Sequence, residues 1–152
     1  MEVRSSTWFQ NSVGVERGPL VYALKLDEQW EEVKTDSWPN SYFEVRTDDP
    51  WNYGFDLQDF KEGNFEIKVS DVPVDMPWNI ENAPVSISTA ASQIPSWKMY
   101  NHSTGLLPSL SYYSKGDNET REKITLIPYG CTALRIAQFP LLGKSPHNPY
   151  QP

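Results

Sequence analysis

The chain has 152 residues, which suits one domain and is enough to bury a core without disulfides. It contains 13 prolines together with 6 Trp, 8 Tyr and 6 Phe. Because proline breaks helices and favours extended geometry before it, long helices, coiled coils and parallel α/β folds are excluded. The net charge of −7 is dispersed and leaves no basic patch, which excludes a nucleic-acid binder and disfavours anionic membranes.

Several segments alternate apolar and polar residues with a period of two, as half-buried β-strands do. In chain order, this pattern predicts strands at 12–16, 20–26, 42–46, 64–70, 84–89, 123–127 and 132–139. The side chains that alternation turns towards one face of these strands are Val13, Val15, Phe43, Val45, Phe65, Ile67, Val69, Val85 and Ile87. Strand 20–26 begins apolar on both faces, so we expect it to be central in its sheet.

The segment from Asp27 to Lys34 has two interpretations. Its glutamates and Gln29 have fair helix propensity, but only Trp30 and Val33 stand at helical spacing. We favour a turn at Asp27 and Glu28 followed by a return strand from Trp30 to Lys34.

The linker 128–131, Pro-Tyr-Gly-Cys, has turn chemistry and predicts that strands 123–127 and 132–139 form a hairpin. Segments 71–83 and 102–122 are predicted to be long loops, and 143–152, with three prolines, a flexible tail. The chain is thus predicted to be one all-β domain over 1–142, an antiparallel, jelly-roll-like β-sandwich of about nine short strands with little helix.

Candidate chemical groups are few and scattered. His102 and His147 have no partner at metal-ligand spacing, and the single cysteine, Cys131, has no adjacent base. The acidic pairs Asp48-Asp49 and Asp56/Asp59 are interpreted as solvated turn residues rather than glycoside-hydrolysing carboxylates. We therefore predict no catalytic residue, no metal ligand and no cofactor in this chain.

The tripeptide Pro-Trp-Asn occurs twice and gives the one candidate binding surface. Trp51 with Asn52, and Trp78 with Asn79, each combine a ring that can stack on a sugar with an amide that can bind hydroxyls. The alternative is that both indoles fold over the sheet edges as lids of the core, since burying large aromatic rings is favourable.

Four stretches together resemble the C-terminal part of glycoside hydrolase family 127, the β-L-arabinofuranosidase-type enzymes formerly grouped as domain-of-unknown-function family 1680. The similarity covers most of the chain, about 3–140, and the first and the last stretch are fairly specific when found together in this order. The stretches are Ser12-Val13-Gly14-Val15-Glu16-Arg17-Gly18-Pro19-Leu20-Val21-Tyr22-Ala23-Leu24, Pro50-Trp51-Asn52-Tyr53-Gly54, 81–98 from Glu-Asn-Ala-Pro-Val to Ile-Pro-Ser-Trp-Lys, and 124–140 from Ile-Thr-Leu-Ile-Pro-Tyr-Gly-Cys-Thr to Phe-Pro.

The resemblance implies a larger parent protein, in which an (α/α)6-barrel catalytic domain with a zinc-bound cysteine nucleophile precedes β-sandwich domains. None of the barrel's motifs occurs here, and Cys131 lies in a β-domain block, so no catalytic residue carries over to this chain. Zinc is accordingly expected only in the parent's catalytic domain. Such parents are commonly exported by gut bacteria of the Bacteroides type, which implies a periplasmic or extracellular location.

Three functions follow as hypotheses. We favour a non-catalytic accessory domain that supports the catalytic barrel or a subunit interface, including a homodimer, and this hypothesis predicts an exposed apolar patch. The second is a carbohydrate-binding module for plant-type, arabinose-containing glycans, with Trp51 or Trp78 as its platform. The third is a self-contained hydrolase, which has no constellation of residues in its favour.

Overall fold

The computed structural model of the chain describes residues 2–7, 12–36, 40–56, 60, 62–70, 76–108 and 121–142. Within these ranges the regular structure is almost entirely strand, which confirms the predicted all-β class. The strands are β1 (Val3–Thr7), β2 (Ser12–Arg17), β3 (Leu20–Leu24), β4 (Gln29–Val33), β5 (Tyr42–Arg46), β6 (Tyr53–Asp56), β7 (Glu66–Val69), β8 (Val85–Gln93), β9 (Met99–Tyr100), β10 (Ser103–Thr104), β11 (Arg121–Pro128) and β12 (Phe139–Leu142), with a 3-10 turn at Tyr129–Cys131. The described part thus holds more strands than the nine or so predicted, because several are only two to four residues long.

Six strands follow one another as neighbours in a closed circuit, β2-β12-β6-β8-β11-β3 and back to β2. Strand β2 closes the circuit by pairing its first residues, Ser12 and Val13, with β12 and its last three with β3. β1 lies on the other edge of β2, and β7 lies beside β8. All these pairings are antiparallel except that of β12 with β6, which is parallel. The result is a β-sandwich-like arrangement.

The core lies inside this circuit and is built from aliphatic and aromatic side chains. The rings of Phe55 and Phe139 meet at 4.8 Å between centroids. The predicted inward residues of β2 and β8 are buried as expected, namely Val13, Val15, Val85 and Ile87. The central position predicted for strand 20–26 is also confirmed, because β3 pairs with β2 on one edge and β11 on the other.

Strands β4 and β5 form a separate two-stranded hairpin. A strand in this segment is confirmed as β4, and the helical alternative does not occur. The predicted turn and return are wrong, because Asp27 and Glu28 form no turn and β4 does not pair with β3. β4 pairs with β5, with Trp30 opposite Val45 and Glu32 opposite Phe43. Among the described residues neither strand pairs with the main sheet, and most of the hairpin is exposed.

The hairpin predicted between 123–127 and 132–139 is wrong. Both edges of β11 are already occupied, one by β8 and the other by β3. After the 3-10 turn the chain leaves the sheet through Arg135, which has a positive φ of 52°, and regains strand geometry only at Phe139. The predicted turn exists, but it leads away from β11.

Strand 64–70 exists as β7, but its predicted inward face is poorly covered. Phe65 packs on the core, whereas Ile67 and Val69 are 38% and 55% exposed. The predicted loop 102–122 in fact begins inside the small hairpin β9–β10 and ends inside β11. Its middle, part of loop 71–83 and the tail 143–152 lie outside the described residues. In the described ranges no helix is long and apolar enough to cross a membrane.

Candidate functional site

One concavity of the described surface, which we call the acidic groove, is lined by the start of β4, the 49–53 corner, β11 and the loop before β8. It encloses about 780 Å³, and the side chains that matter chemically are Trp30, Asp49, Tyr53, Glu81, Glu122 and Lys123. Its lining contains five carboxylates and two lysines. The negative electrostatic potential of the groove therefore favours neutral or cationic ligands over anionic ones.

Trp30 forms one wall of the acidic groove. Alternation along β4 points its indole away from Gln29 and Glu31, and the ring packs edge-on against Phe43 at 6.1 Å. The indole N–H donates to Oε2 of Glu28 at 3.3 Å, yet the side chain stays 57% exposed. The ring is therefore oriented by two neighbours while it offers a large apolar surface to the groove.

Glu28 fixes this wall to a distant segment of the chain. Its Oε1 accepts hydrogen bonds from the Thr132 hydroxyl at 2.6 Å, the Ala133 N–H at 2.6 Å and the Leu134 N–H at 3.3 Å. The carboxylate thus satisfies the backbone of the irregular segment that follows the 3-10 turn. Since both of its oxygens are engaged, Glu28 positions other groups and is not free for a ligand.

Asp49, Tyr53 and Glu122 also line the acidic groove. Asp49 accepts a hydrogen bond from the Asp27 N–H at 2.7 Å, which ties the 49–53 corner to the segment before β4. The Tyr53 hydroxyl donates to Oε2 of Glu122 at 2.9 Å. Burial of the phenol, followed by the hydrogen bond to Glu122 and the negative charge nearby, raises the pKa of Tyr53 to about 12. Tyr53 is consequently a neutral donor at ordinary pH.

The first predicted sugar platform consists of Trp51 and Asn52, whose side chains pack and form hydrogen bonds within the fold. Trp51 is partly buried between the two parts of the core and meets Trp97 edge-on at 5.1 Å. Asn52 donates its amide protons to the carbonyl oxygens of Ile94 at 2.6 Å and Trp97 at 3.2 Å. This corner resembles the lid alternative more than an open platform.

Trp78 and Asn79, the second predicted platform, lie in an irregular loop. Asn79 Nδ2 donates to the Met76 carbonyl at 2.6 Å, and its Oδ1 accepts from the N–H groups of Glu81 and Asn82 at 3.0 and 2.8 Å. Trp78 remains 55% exposed, and Glu81 of the same loop lines the acidic groove. Of the two tripeptides, only this one leaves its indole largely open to solvent.

A second concavity, of about 700 Å³, has a mainly apolar wall that includes Leu106, Tyr129 and Leu134. Arg135 stacks over the Tyr129 ring at 5.2 Å and donates from Nε to the Thr132 carbonyl at 3.3 Å. This contact shapes the turn after β11. It brings together no set of groups suited to chemistry.

The other candidate groups are dispersed. Cys131 is buried in the 3-10 turn, and burial raises the pKa of its thiol, which keeps it protonated and unsuited to nucleophilic attack. His102 lies in the exposed β9–β10 turn with a φ of 60°, while His147 falls outside the described residues. Across the described residues no three His, Cys, Asp or Glu side chains are grouped so as to hold a metal ion.

Sequence reasoning missed the acidic groove. Its parts come from residues about 20 to 100 positions apart, and nothing local marks Glu28 as the group that holds Trp30 and segment 132–134 together. The nearest signal is Trp30 itself, a large aromatic residue within a run of acidic residues.

Comparisons of the chain with models of protein families, with curated proteins and with solved structures found no match.

Proposed function

We propose that this chain is a non-catalytic accessory β-sandwich domain of a family 127-like glycoside hydrolase, and that it supports the catalytic barrel through the β4–β5 hairpin. The resemblance motivates the choice of partner. The observation that carries the proposal is the exposed aromatic face of a hairpin with no described neighbour in the main sheet.

The stretches that carry the resemblance serve structure rather than catalysis. Gly18, with a φ of 61°, turns the chain from β2 into β3. Trp51 and Asn52 brace the corner before β6, and segment 128–131 forms the turn after β11. These motifs build the sandwich, which fits an accessory role.

An isolated two-stranded hairpin is only marginally stable in water, because it has too little apolar surface to bury. Trp30 and Phe43, which share one face of the hairpin, cover each other partly, yet both remain more than half exposed. Tyr42 is also exposed, but it lies on the opposite face. Contiguous exposed aromatic side chains of this kind mark interaction surfaces. Docking on a second domain would bury them and stabilise the hairpin.

The test uses this chain and a family 127-like (α/α)6-barrel domain from the same organism. We expect calorimetry to detect association of the two, and the barrel's melting temperature to rise on addition of the chain. Phe43→Ser should abolish both effects, whereas Met99→Ser should not, although both side chains are 58% exposed. Absence of binding, or equal losses in the two variants, would contradict the proposal.

Carbohydrate binding is the second candidate, and the exposed indole of Trp78 beside the acidic groove favours it. The loop is held by Asn79, so the ring is presented with little conformational cost, and the nearby carboxylates can accept hydrogen bonds from sugar hydroxyls. The ligand class is a neutral, arabinose-containing glycan.

Titration of the chain with arabinose-containing oligosaccharides, followed by tryptophan fluorescence, tests this candidate. Trp78→Ala should remove the response. Tyr100→Ala is the control, because it removes another exposed aromatic ring, on β9, and should leave the response unchanged. A response that survives Trp78→Ala, or no response at millimolar ligand, would count against the candidate.

A further inference from the structure

Strand β7 lies at an open edge of the main sheet, where the apolar face of the sheet ends. It pairs with β8 on one side, and no described strand pairs with its other side. Ile67 and Val69 stand opposite Ile87 and Val85, which are buried, but are themselves partly exposed. An edge that combines unpaired backbone groups with exposed aliphatic side chains is a template for another strand.

The backbone of β7 is oriented for such pairing. The Ser70 N–H donates to the Pro84 carbonyl at 2.9 Å, so Ser70 directs its backbone groups towards the β8 side. Because these directions alternate along an antiparallel strand, Glu66 and Lys68 also face β8. Ile67 and Val69 therefore direct their N–H and C=O groups outwards, to the open edge, whereas the N–H of Phe65, just before β7, donates to the Gly63 carbonyl at 2.7 Å.

We propose that β7 pairs antiparallel with β7 of a second copy of this chain, with Ile67 opposite Ile67 on the two-fold axis. In this register each Glu66 faces a Lys68, and each Phe65 faces a Val69. Outward-facing residues then oppose each other as hydrogen-bonded pairs, and the exposed aliphatic side chains cover one another.

Charge complementarity selects both the register and the partner. The next register with the same backbone pairing places Lys68 opposite Lys68, where like charges repel. An edge lysine normally prevents pairing between copies, but here an acidic residue two positions earlier meets it across the axis. Since a two-fold interface presents the same patch twice, a patch that complements itself in this way fits a second copy of the chain.

Glu66 keeps its charge in the single chain. Its carboxylate accepts a hydrogen bond from Lys123 Nζ at 2.5 Å, and this contact lowers the pKa of Glu66. Both groups are exposed, so Lys123 adds little stability but leaves carboxylate lone pairs for Lys68 of the second copy.

The interface is short, and the dimer is accordingly expected to be weak. A strand pair of about five residues buries less than the roughly 1,200 Å² at which specific stable interfaces begin. Association should therefore depend on protein concentration, and the hydrogen exchange of the Ile67 and Val69 amides should slow as the concentration rises.

Sedimentation velocity over a concentration series tests the proposal with four proteins: the unchanged chain, Glu66→Lys, Lys68→Glu and the double variant. Each single variant places like charges opposite each other twice and should weaken dimerisation by roughly tenfold or more. The double variant restores opposite charges and should dimerise like the unchanged chain. An equimolar mixture of the two single variants should also dimerise, because each then complements the other.

Controls separate this interface from other effects. Lys123→Gln removes the contact of Glu66 within the chain and should leave dimerisation intact, as should Phe43→Ser on the β4–β5 hairpin. Three outcomes would overturn the proposal: a monomer at all concentrations, equal association of all charge variants, or amides of Ile67 and Val69 that are equally protected at every dilution. The last would mean that another part of the same chain covers the edge.

Discussion

At the residue scale, Asn52 and Asn79 of the repeated Pro-Trp-Asn tripeptide make different kinds of hydrogen bonds. Asn52 bonds two carbonyl groups more than 40 positions away, and Ile94 and Trp97, to which they belong, are buried. Asn79 bonds only its own exposed loop. The same tripeptide therefore makes long-range hydrogen bonds in one place and a local turn in the other.

Replacement of these asparagines should reveal the difference as stability. Asn52→Ala leaves buried carbonyl groups without donors and is expected to lower the free energy of unfolding by about 2 to 3 kcal/mol. Asn79→Ala exposes its partners to water and should cost less than about 1 kcal/mol. Urea unfolding followed by circular dichroism measures both, and equal losses would show that the Asn52 contacts carry no special weight.

Tyr53 makes stability depend on pH at the alkaline end. Its pKa is raised from 10.0 to about 12 in the folded chain, so above pH 10 the unfolded chain loses this proton first. The folded state is then the one that binds more protons, and stability falls as pH rises from 10 towards 12. Below this range the contribution is fully present.

The pH dependence can be assigned with two variants. Tyr53→Phe should reduce the loss of stability between about pH 8 and about pH 11, since the group that titrates is gone. Glu122→Gln should shift tyrosinate formation to lower pH, because it removes the negative charge beside the phenol. Chemical unfolding at the two pH values and an absorbance titration measure these effects; a pH dependence unchanged in Tyr53→Phe would assign it to other groups.

At the scale of elements, alternation predicted strands well and their neighbours poorly. Val13 and Val15 of β2, and Val85 and Ile87 of β8, are buried as the pattern requires, because these strands have partners on both edges. The same pattern in β7 leaves Ile67 exposed, since burial depends on what lies beside the strand and not on its own sequence. The pattern determines which side chains share a face, whereas coverage of that face is a tertiary property.

The wrong prediction of a hairpin after β11 has a similar cause. A local interpretation joins two adjacent strands through a turn, but β3 pairs with β11 from about 100 positions earlier in the chain. Glu28 then binds the displaced segment at Thr132, Ala133 and Leu134. The acidic groove was unpredictable for the same reason, because its walls meet only once this long-range pairing has formed.

Glu28 is thus the residue that should link the β4–β5 hairpin to the rest of the domain. Glu28→Ala removes the acceptor of four hydrogen bonds, three from segment 132–134 and one from Trp30, and is expected to lower the free energy of unfolding by about 2 kcal/mol. Glu28→Gln keeps one carbonyl acceptor and should cost less, while Glu31→Ala on the exposed face of β4 should be nearly neutral. Urea unfolding compares the three; a neutral Glu28→Ala would mean that the hairpin is held by other contacts.

At the scale of the whole molecule, the closed circuit of strands depends on a close approach at Gly54. This buried residue of β6 lies where β8 and β12 converge, and β12 alone runs parallel to its neighbour there. A Cβ atom at Gly54 would lie 2.8 Å from Cδ1 of Ile94 and 2.9 Å from the Pro140 carbonyl oxygen. The side chain of Ile94 could adjust, but the backbone oxygen of Pro140 belongs to β12, one of the strands of the circuit.

Gly54→Ala should therefore destabilise the whole domain by about 1 to 3 kcal/mol, because β12 must shift against both β2 and β6 to admit the methyl group. Gly130→Ala is the matched control, since a Cβ atom there meets nothing within 4 Å, and it should change stability by no more than about 0.5 kcal/mol. Thermal unfolding measures both variants. If Gly54→Ala unfolds at the same temperature as the unchanged chain, β6 and β12 are not held as closely as the closed circuit requires. The sandwich must then be open on that side.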